Sequence, residues 1–157
     1  VSERAWDVMA EVEYAGYDAL LPFRDALENE WFPYTPAWAS LAALHEACRL
    51  VLEEGLEDVY ARHARVASHC RKRAREIGLS LYPTDEEACS PTVTALRVPD
   101  GTSWDGLDQA LRKQGMVVGG SLGPLAGKVF RIGHMGVQAD RALVDRGMDV
   151  LSRVLGR

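Results

Sequence analysis

The feature that most constrains this chain of 157 residues is an arginine in the middle of an apolar strand. The segment 128–136 follows a glycine-rich loop over 119–127, and the β-formers Phe130 and Ile132 stand on either side of Arg131. Branched and aromatic residues favour strands, so the pattern predicts a strand that carries a cation at its centre.

The position of Arg131 requires a partner for its charge. A guanidinium is seldom buried without one, so we expect Arg131 to be buried and to meet a carboxylate. That carboxylate can belong to the protein or to a ligand. The residues alone leave both alternatives open, and the choice decides what the chain does.

Composition excludes several classes of protein. Hydrophobic residues make up 47% of the chain and charged residues 26%, as in soluble globular proteins. The net charge of −5 argues against a nucleic-acid partner, and no apolar run is long enough for a membrane span. Cys48, Cys70 and Cys89 form no CxxC pair, which favours reduced thiols in a cytoplasmic protein over a zinc or disulfide framework.

The order of predicted elements indicates an α+β fold. Hydrophobic periodicity and capping signals predict helices over residues 2–12, 40–54, 57–77, 102–115 and 140–155. Runs of β-formers predict strands over residues 79–82, 92–99, 116–118 and 128–136. From residue 79 onward the order predicts a small mixed or antiparallel sheet with helices on one face.

The segment 31–38 holds two prolines and four aromatic residues, which predicts a stiff, extended stretch. An apolar segment of this kind is expected at an interface or a pocket wall. The helix that follows carries one apolar stripe, formed by Leu41, Leu44, Cys48, Val51 and Leu52.

Most chemistry-bearing motifs are absent. Gly127-Lys128 resembles the end of a P-loop, but Leu122 and Val129 stand where that motif needs glycine and Ser or Thr. No GxSxG motif occurs. His63, His69 and Cys70 have no carboxylate at metal-ligand spacing, so we predict no metal site.

Several segments, taken in order, resemble the class V aminotransferases, and within them the alanine–glyoxylate and serine–glyoxylate (serine–pyruvate) aminotransferase family. The resemblance covers nearly the whole chain. The segments that carry it are Ser2-Glu3-Arg4-Ala5-Trp6, Tyr34-Thr35-Pro36-Ala37, Glu53-Glu54-Gly55-Leu56-Glu57, Arg62-His63, Ser90-Pro91-Thr92-Val93-Thr94, Gly120 to Gly127 and Lys128-Val129-Phe130-Arg131-Ile132-Gly133.

The resemblance implies a fold-type I homodimer that depends on pyridoxal 5'-phosphate. Residues 1–39 would be the end of the large cofactor domain with an interdomain and interface segment, and residues 40–157 the small C-terminal α+β domain. By resemblance, Arg131 grips the substrate's α-carboxylate, as a planar fork of donors can. Thr35 would donate its hydroxyl to the cofactor phosphate of the partner subunit. The family often has a tyrosine where Phe32 stands, and Tyr34 is the candidate substitute.

The lysine that carries the cofactor has no match in this chain. The reaction needs it, and none of Lys72, Lys113 and Lys128 has the family's sequence context. We therefore expect the chain to be the C-terminal portion of an aminotransferase, inactive by itself. The parent would transfer an amino group from alanine or serine to glyoxylate or pyruvate.

The alternative interpretation comes from another class of protein. The chain would then be a non-catalytic α+β module that binds a small carboxylate or a protein partner. Arg131 would in that case meet an internal Asp or Glu, or a regulatory amino acid.

Overall fold

The computed structural model describes residues 1–157, and contacts between residues divide them into two compact units, Val1–Leu52 and Glu53–Arg157. The helices are α1 (Glu3–Val12), α2 (Trp38–Glu54), α3 (Leu56–Glu76), α4 (Trp104–Lys113) and α5 (Arg141–Leu155). The strands are β1 (Val93–Arg97), β2 (Gly119–Gly120) and β3 (Val129–Gly133). None of the helices combines the length and the apolar character that crossing a bilayer requires.

Residues 53–157 form an α+β unit around an antiparallel sheet of order β1-β3-β2, which confirms the predicted fold class. β3 is the central strand: Leu96 of β1 pairs with its Phe130, and Gly119 of β2 pairs with its Arg131. Because side chains alternate along a strand, Phe130 and Ile132 point to one face and Arg131 to the other.

The core lies on the face of Phe130 and Ile132. All three helices α3, α4 and α5 contribute to it, so the helices cover this one face. Fully buried side chains from each part meet there: Cys70, Ala74, Leu96, Leu107, Leu111, Phe130, Met148 and Leu151. Ser103 and Asp140 cap α4 and α5, each accepting a backbone N–H with its side-chain oxygen.

Two predicted strands differ from the structure. The predicted strand over residues 116–118 is wrong, since only Gly119 and Gly120 pair with β3. The stretch 79–82 contributes a single bridge, between Leu81 and Leu96.

The cationic face of α3 is neutralised by acidic residues. Arg71 and Arg75 both pair with Glu86 of the loop before β1, and Arg73 pairs with Glu76, Asp145 and Asp149. His69 Nε2 lies 2.7 Å from Asp145 Oδ1, and this contact, with the nearby Arg73, lowers the pKa of the Asp145 carboxyl. These contacts join α3 to α5.

Residues 1–52 have few buried side chains. Ser2 caps α1, with its Oγ 3.4 Å from the backbone nitrogen of Ala5. A 3₁₀ turn follows over Leu21–Phe23, and only Ala19 and Ala26 are buried. The apolar stripe of α2 is exposed, since that helix has no buried residue. The assignment of residues 1–39 to a larger cofactor domain stays a prediction.

Candidate functional site

Arg131 lies at the middle of β3 on the sheet face opposite the core, and its side chain is exposed. The expectation of a buried guanidinium is therefore wrong, and no Asp or Glu of the chain pairs with it. The physical reason is alternation: Phe130 and Ile132 occupy the core face, so the residue between them must point away from it. We call the side of the sheet that carries Arg131 the open face.

Both hydrogen bonds of the Arg131 guanidinium go to one backbone carbonyl. Its Nε donates to Gly120 O at 3.0 Å, and its Nη2 donates to the same oxygen at 2.7 Å. A guanidinium has five N–H groups, so two bonds leave three of them, including both on Nη1. A carbonyl oxygen carries no net charge, so the cation is oriented without being neutralised.

Small residues flank Arg131 in the sheet. Its register partners are Ala95 on β1 and Gly119 on β2, and Gly133 follows it on the open face of β3. A Cβ at Gly119 would lie 3.5 Å from Arg131 Nη2. The residues directly opposite Arg131 on both neighbouring strands are therefore small, and its exposed guanidinium is reached from solvent.

Gly120 is held from the core side by Trp104, the first residue of α4. The Trp104 ring stacks on Phe130, with centroids 5.9 Å apart. A Cβ at Gly120 would lie 3.0 Å from two atoms of the indole, closer than side chains normally pack. The indole thus favours glycine at this position and packs against the residue whose carbonyl orients Arg131.

The sequence did not single out Gly120 or Trp104 as site residues. Gly120 acts through its main-chain oxygen, which every residue type has, and Trp104 acts through packing. The only available signal was the Gly119-Gly120 pair ahead of the arginine strand. Pairs of glycines commonly mark close backbone approach, but they do not say what approaches.

His134 is completely buried directly after β3. Its Nε2 lies 2.8 Å from Thr94 Oγ1, and its Nδ1 has no hydrogen-bond partner. Burial lowers the pKa of the imidazole below its usual value of 6.5, since a charged ring would lose its hydration. This neutral histidine ties the end of β3 to β1.

Thr35 and Tyr34 lie next to each other in the 1–52 unit, whereas Arg131 belongs to the 53–157 unit. Thr35 is exposed, and the Tyr34 ring packs against Tyr17 with centroids 4.3 Å apart. Both residues line a largely apolar cleft of about 550 Å³ together with Phe23, Phe32, Pro36, Ala37, Trp38, Ser40, Leu41 and Leu44.

The cleft fits a phosphate only in part. The hydroxyls of Thr35, Tyr34 and Ser40 are available as donors, but no lysine or arginine lines the cleft. Phosphate sites in proteins combine hydroxyls with backbone N–H groups and cations. Thr35 can therefore contribute one hydrogen bond to a cofactor phosphate whose charge is met by residues other than those of this cleft.

No family model matches the chain. Curated relatives do. The chain is 41% identical over 145 residues to the pyridoxamine–pyruvate transaminase of Mesorhizobium japonicum, covering 88% of this chain and 37% of the relative. It is 43% identical over 110 residues to the L-aspartate–glyoxylate aminotransferase of Paracoccus denitrificans, with 69% and 28% covered. To the serine–glyoxylate aminotransferase of Hyphomicrobium methylovorum it is 33% identical, with 96% and 41% covered.

Solved structures agree over nearly the entire chain. The pyridoxamine–pyruvate aminotransferase of Mesorhizobium loti superposes with a TM-score of 0.92 at 35% identity, covering 99% of this chain and 41% of that one. The alanine–glyoxylate aminotransferase of a Nostoc species gives 0.90 at 30% identity, with 99% and 42% covered. The chain therefore spans about two fifths of the length of the relatives that align with nearly all of it.

Proposed function

Because the chain belongs to the class V, fold-type I aminotransferases, we propose that it is the C-terminal portion of a pyridoxal-phosphate-dependent enzyme of that kind. The enzyme would move an amino group from a small amino acid, alanine or serine, to a 2-oxo acid, glyoxylate or pyruvate. The observation that carries this proposal concerns Arg131 on the open face of the sheet. Its side chain is exposed and is oriented by the Gly120 carbonyl, and no carboxylate of the chain neutralises its charge.

In this proposal Arg131 binds the α-carboxylate of the amino donor. The Gly120 carbonyl holds Nε and one side of Nη2, so the remaining N–H groups point away from β2. The free edge formed by Nη1 and Nη2 matches the two oxygens of a carboxylate. A guanidinium that is already oriented loses little conformational freedom on binding, which strengthens the contact.

We further propose that Thr35 donates its hydroxyl to the cofactor phosphate. Tyr34 would supply the second hydroxyl, in place of the tyrosine that the family often has where Phe32 stands. The support for Thr35 is its exposure beside the aromatic cleft. Tyr34 is less free than Thr35 to turn its hydroxyl towards a phosphate, since its ring packs against Tyr17 and Phe23.

Pyridoxal phosphate, when bound, supplies the electron sink that makes loss of the donor's Cα proton possible. This chain's residues do the binding and orienting. By fixing the carboxylate, Arg131 sets the direction of the Cα–H bond, and correct orientation of a reacting bond is a large part of enzymatic rate acceleration. None of Lys72, Lys113 and Lys128 is assigned a role in the proton transfer.

We also propose that the complete enzyme is a homodimer in the cytoplasm. Exposed aromatic residues at 31–38 and the exposed stripe of α2 support a covered surface in this part of the chain. The reduced cysteines predicted from the sequence support the compartment.

Replacement of Arg131 by alanine in the full-length protein tests the function. We expect KM for the amino donor to rise and kcat/KM to fall by a factor equivalent to about 2–4 kcal/mol, the usual cost of losing a charged bidentate contact. Arg131→Lys should recover only part of the loss, because an ammonium group lacks the planar fork.

Arg112→Ala is the matched control, since Arg112 pairs with Asp108 on the surface of α4. Equal kinetics for the Arg131 and Arg112 variants would remove the carboxylate-binding role. A full-length protein that takes up no pyridoxal phosphate, seen by its absorbance band, would favour a non-catalytic carboxylate-binding module instead.

A further inference from the structure

The loop that follows β3 is held at Gly136 by two adjacent residues of α3. Gly136 adopts φ +60°, a backbone conformation that favours glycine, and starts a 3₁₀ turn over Gly136–Gln138. Its N–H donates to His63 Nε2 at 3.0 Å, and its carbonyl accepts from Arg62 Nη1 at 2.7 Å. Both polar groups of this residue are thus bound by α3 side chains.

The contacts of His63 define its tautomer. Nδ1 lies 2.7 Å from the carbonyl oxygen of Val59, which can only accept, so Nδ1 carries the hydrogen. Nε2 faces the N–H of Gly136, so it must be the unprotonated nitrogen. The ring is largely buried, with 9% of its surface exposed, and cannot turn away without losing both bonds.

Arg62 is oriented by Glu54 from its other side. Its Nε and Nη2 donate to the two carboxylate oxygens at 2.5 and 2.7 Å, which leaves Nη1 for the loop. Nη1 also reaches the carbonyl of Ala139 at 3.2 Å. This fork-to-fork pair gives the guanidinium one geometry, so the loop is held by a rigid group.

The residue that this loop presents to the open face is Met135. Its methyl carbon lies 3.9 Å from the place where a Cβ of Gly133 would be. Gly133 stands two residues after Arg131 on the same face of β3, roughly 7 Å further along the strand. Met135 is 51% exposed, so its apolar thioether lies on the same open face, beyond Gly133, and remains accessible.

We propose that Arg62 and His63 are positioning residues that fix Met135 as an apolar wall next to Arg131. The wall makes the site select carboxylates with a small apolar substituent, such as alanine, over those with a second carboxylate, such as aspartate. This inference rests on the proposed function, because it takes Arg131 as the group that binds the substrate.

The selectivity follows from desolvation. A ligand carboxylate bound to Arg131 brings its side chain against the neighbouring surface of the open face. A methyl group gains from contact with a thioether, whereas a second carboxylate there loses water and finds no donor on Met135. Selection of this kind needs the methionine in one place, which is what the held loop provides.

The experiment uses His63→Ala, His63→Gln and Met135→Ala in the full-length protein, with His69→Ala as the matched control. His69 lies on the same helix but contacts Asp145 of α5. Glutamine can present an oxygen near the position of Nε2, so it keeps the acceptor that alanine removes.

The first measurement is amide hydrogen exchange of residues 133–140, which does not depend on activity. We expect faster exchange at Gly136 in His63→Ala, recovery in His63→Gln and no change in His69→Ala. Unchanged exchange in His63→Ala would overturn the positioning role.

The second measurement is the ratio of kcat/KM for alanine to that for aspartate. We expect the ratio to fall about tenfold in Met135→Ala, the scale of discrimination that one small apolar contact gives. His63→Ala should shift it in the same direction, while His63→Gln and His69→Ala should not. A loss of rate with an unchanged ratio would reduce His63 to a structural role, and an unchanged ratio in Met135→Ala would overturn the wall.

The two proposals fail separately. If Arg131→Ala impairs the reaction but the Met135 and His63 variants leave the ratio unchanged, only the inference about the wall is lost. If the protein transaminates neither alanine nor serine, the proposed function fails and the selectivity fails with it. Hydrogen exchange still decides whether His63 holds the loop.

Discussion

Arg131 and Arg62 lie in the same unit and differ in the charge of their partners. Arg62 is paired with the Glu54 carboxylate, so its charge is compensated inside the protein. Arg131 meets only the carbonyl of Gly120, which orients the fork and leaves its positive charge for another molecule. At the scale of single residues this difference separates a structural arginine from a binding one.

The sequence contained part of this result. It predicted the strand and placed Arg131 at its centre, and alternation between Phe130 and Ile132 already required the opposite face. It could not indicate that the Gly120 carbonyl binds Arg131, because every residue type has a main-chain acceptor. Side-chain motifs find carboxylate partners of arginine, and they miss carbonyl ones.

The pH dependence of stability tests the buried state of His134. The pKa of His134 is lowered in the folded protein, so there is a range of pH below 6.5 in which the imidazole is protonated in the unfolded chain but not in the folded one. The stabilising effect of neutral His134 is complete above about pH 6.5. It is lost as the pH falls towards the folded-state pKa, by at most about 1.4 kcal/mol per pH unit.

We expect the urea midpoint of the full-length protein to fall between pH 7.5 and pH 5. In His134→Asn this fall should be smaller, since asparagine cannot be protonated there but can still bond to Thr94. His45→Asn, at an exposed position on α2, is the control and should behave as the unaltered protein. An equal pH dependence in all three proteins would show that His134 contributes none of it.

At the scale of elements, the shortest strand is the one that matters most for the site. The apolar stretch 116–118 resembled a strand, yet only Gly119 and Gly120 pair with β3. Val118 is buried in the core while Val117 is 69% exposed, so alternation is present without a ladder. Periodicity reports which side chains face the core and does not report which backbone groups find a partner strand.

The contact between β2 and α4 predicts that replacement by alanine destabilises the protein much more at Gly120 than at the neighbouring Gly119. A Cβ at Gly120 would lie 3.0 Å from the Trp104 indole, closer than side chains normally pack, whereas one at Gly119 would make ordinary contact with Arg131. We expect Gly120→Ala to destabilise the protein by about 1–3 kcal/mol through overpacking. Because the Gly120 carbonyl must move, KM for the amino donor should rise as well.

Gly119→Ala serves as the control, with a small effect on thermal unfolding. Adding Trp104→Phe to Gly120→Ala removes part of the indole and should restore some stability. Thermal unfolding and donor kinetics of the four proteins measure both effects. Equal destabilisation by the two alanines would mean that the indole does not restrict Gly120.

At the scale of the whole molecule, the order of elements predicted a small mixed or antiparallel sheet with helices on one face, and the sheet is antiparallel. The reason is that these elements bury their apolar sides against one another within residues 53–157. The outcome for α2 was not predictable in the same way. Its stripe is as apolar as that of a core helix, but no residue of the helix is buried. A hydrophobic pattern indicates that a face is covered, and it does not say by which chain.

The exposed face of α2 leads to the last prediction, which concerns assembly. Leu44 is 60% exposed and Trp38 is 70% exposed, beside the cleft of Tyr34 and Thr35. If a second copy covers this face in the full-length enzyme, Leu41→Glu with Leu44→Glu should shift the dimer towards monomers. Leu41 and Leu44 are 47% and 60% exposed, so covering both is worth about 1.5–3 kcal/mol, which corresponds to roughly ten- to a hundredfold in the dissociation constant.

Light scattering over a range of protein concentrations measures this shift. Leu122→Glu, a change at an 87% exposed leucine outside α2, is the control and should leave the dimer intact. A dimer that survives the double replacement with lower thermal stability would place the α2 face against another part of its own chain. The relatives are more than twice as long as this chain, so they have further residues that could pack on such a face. The mass of the double variant in solution therefore distinguishes a second copy from another segment of the same chain.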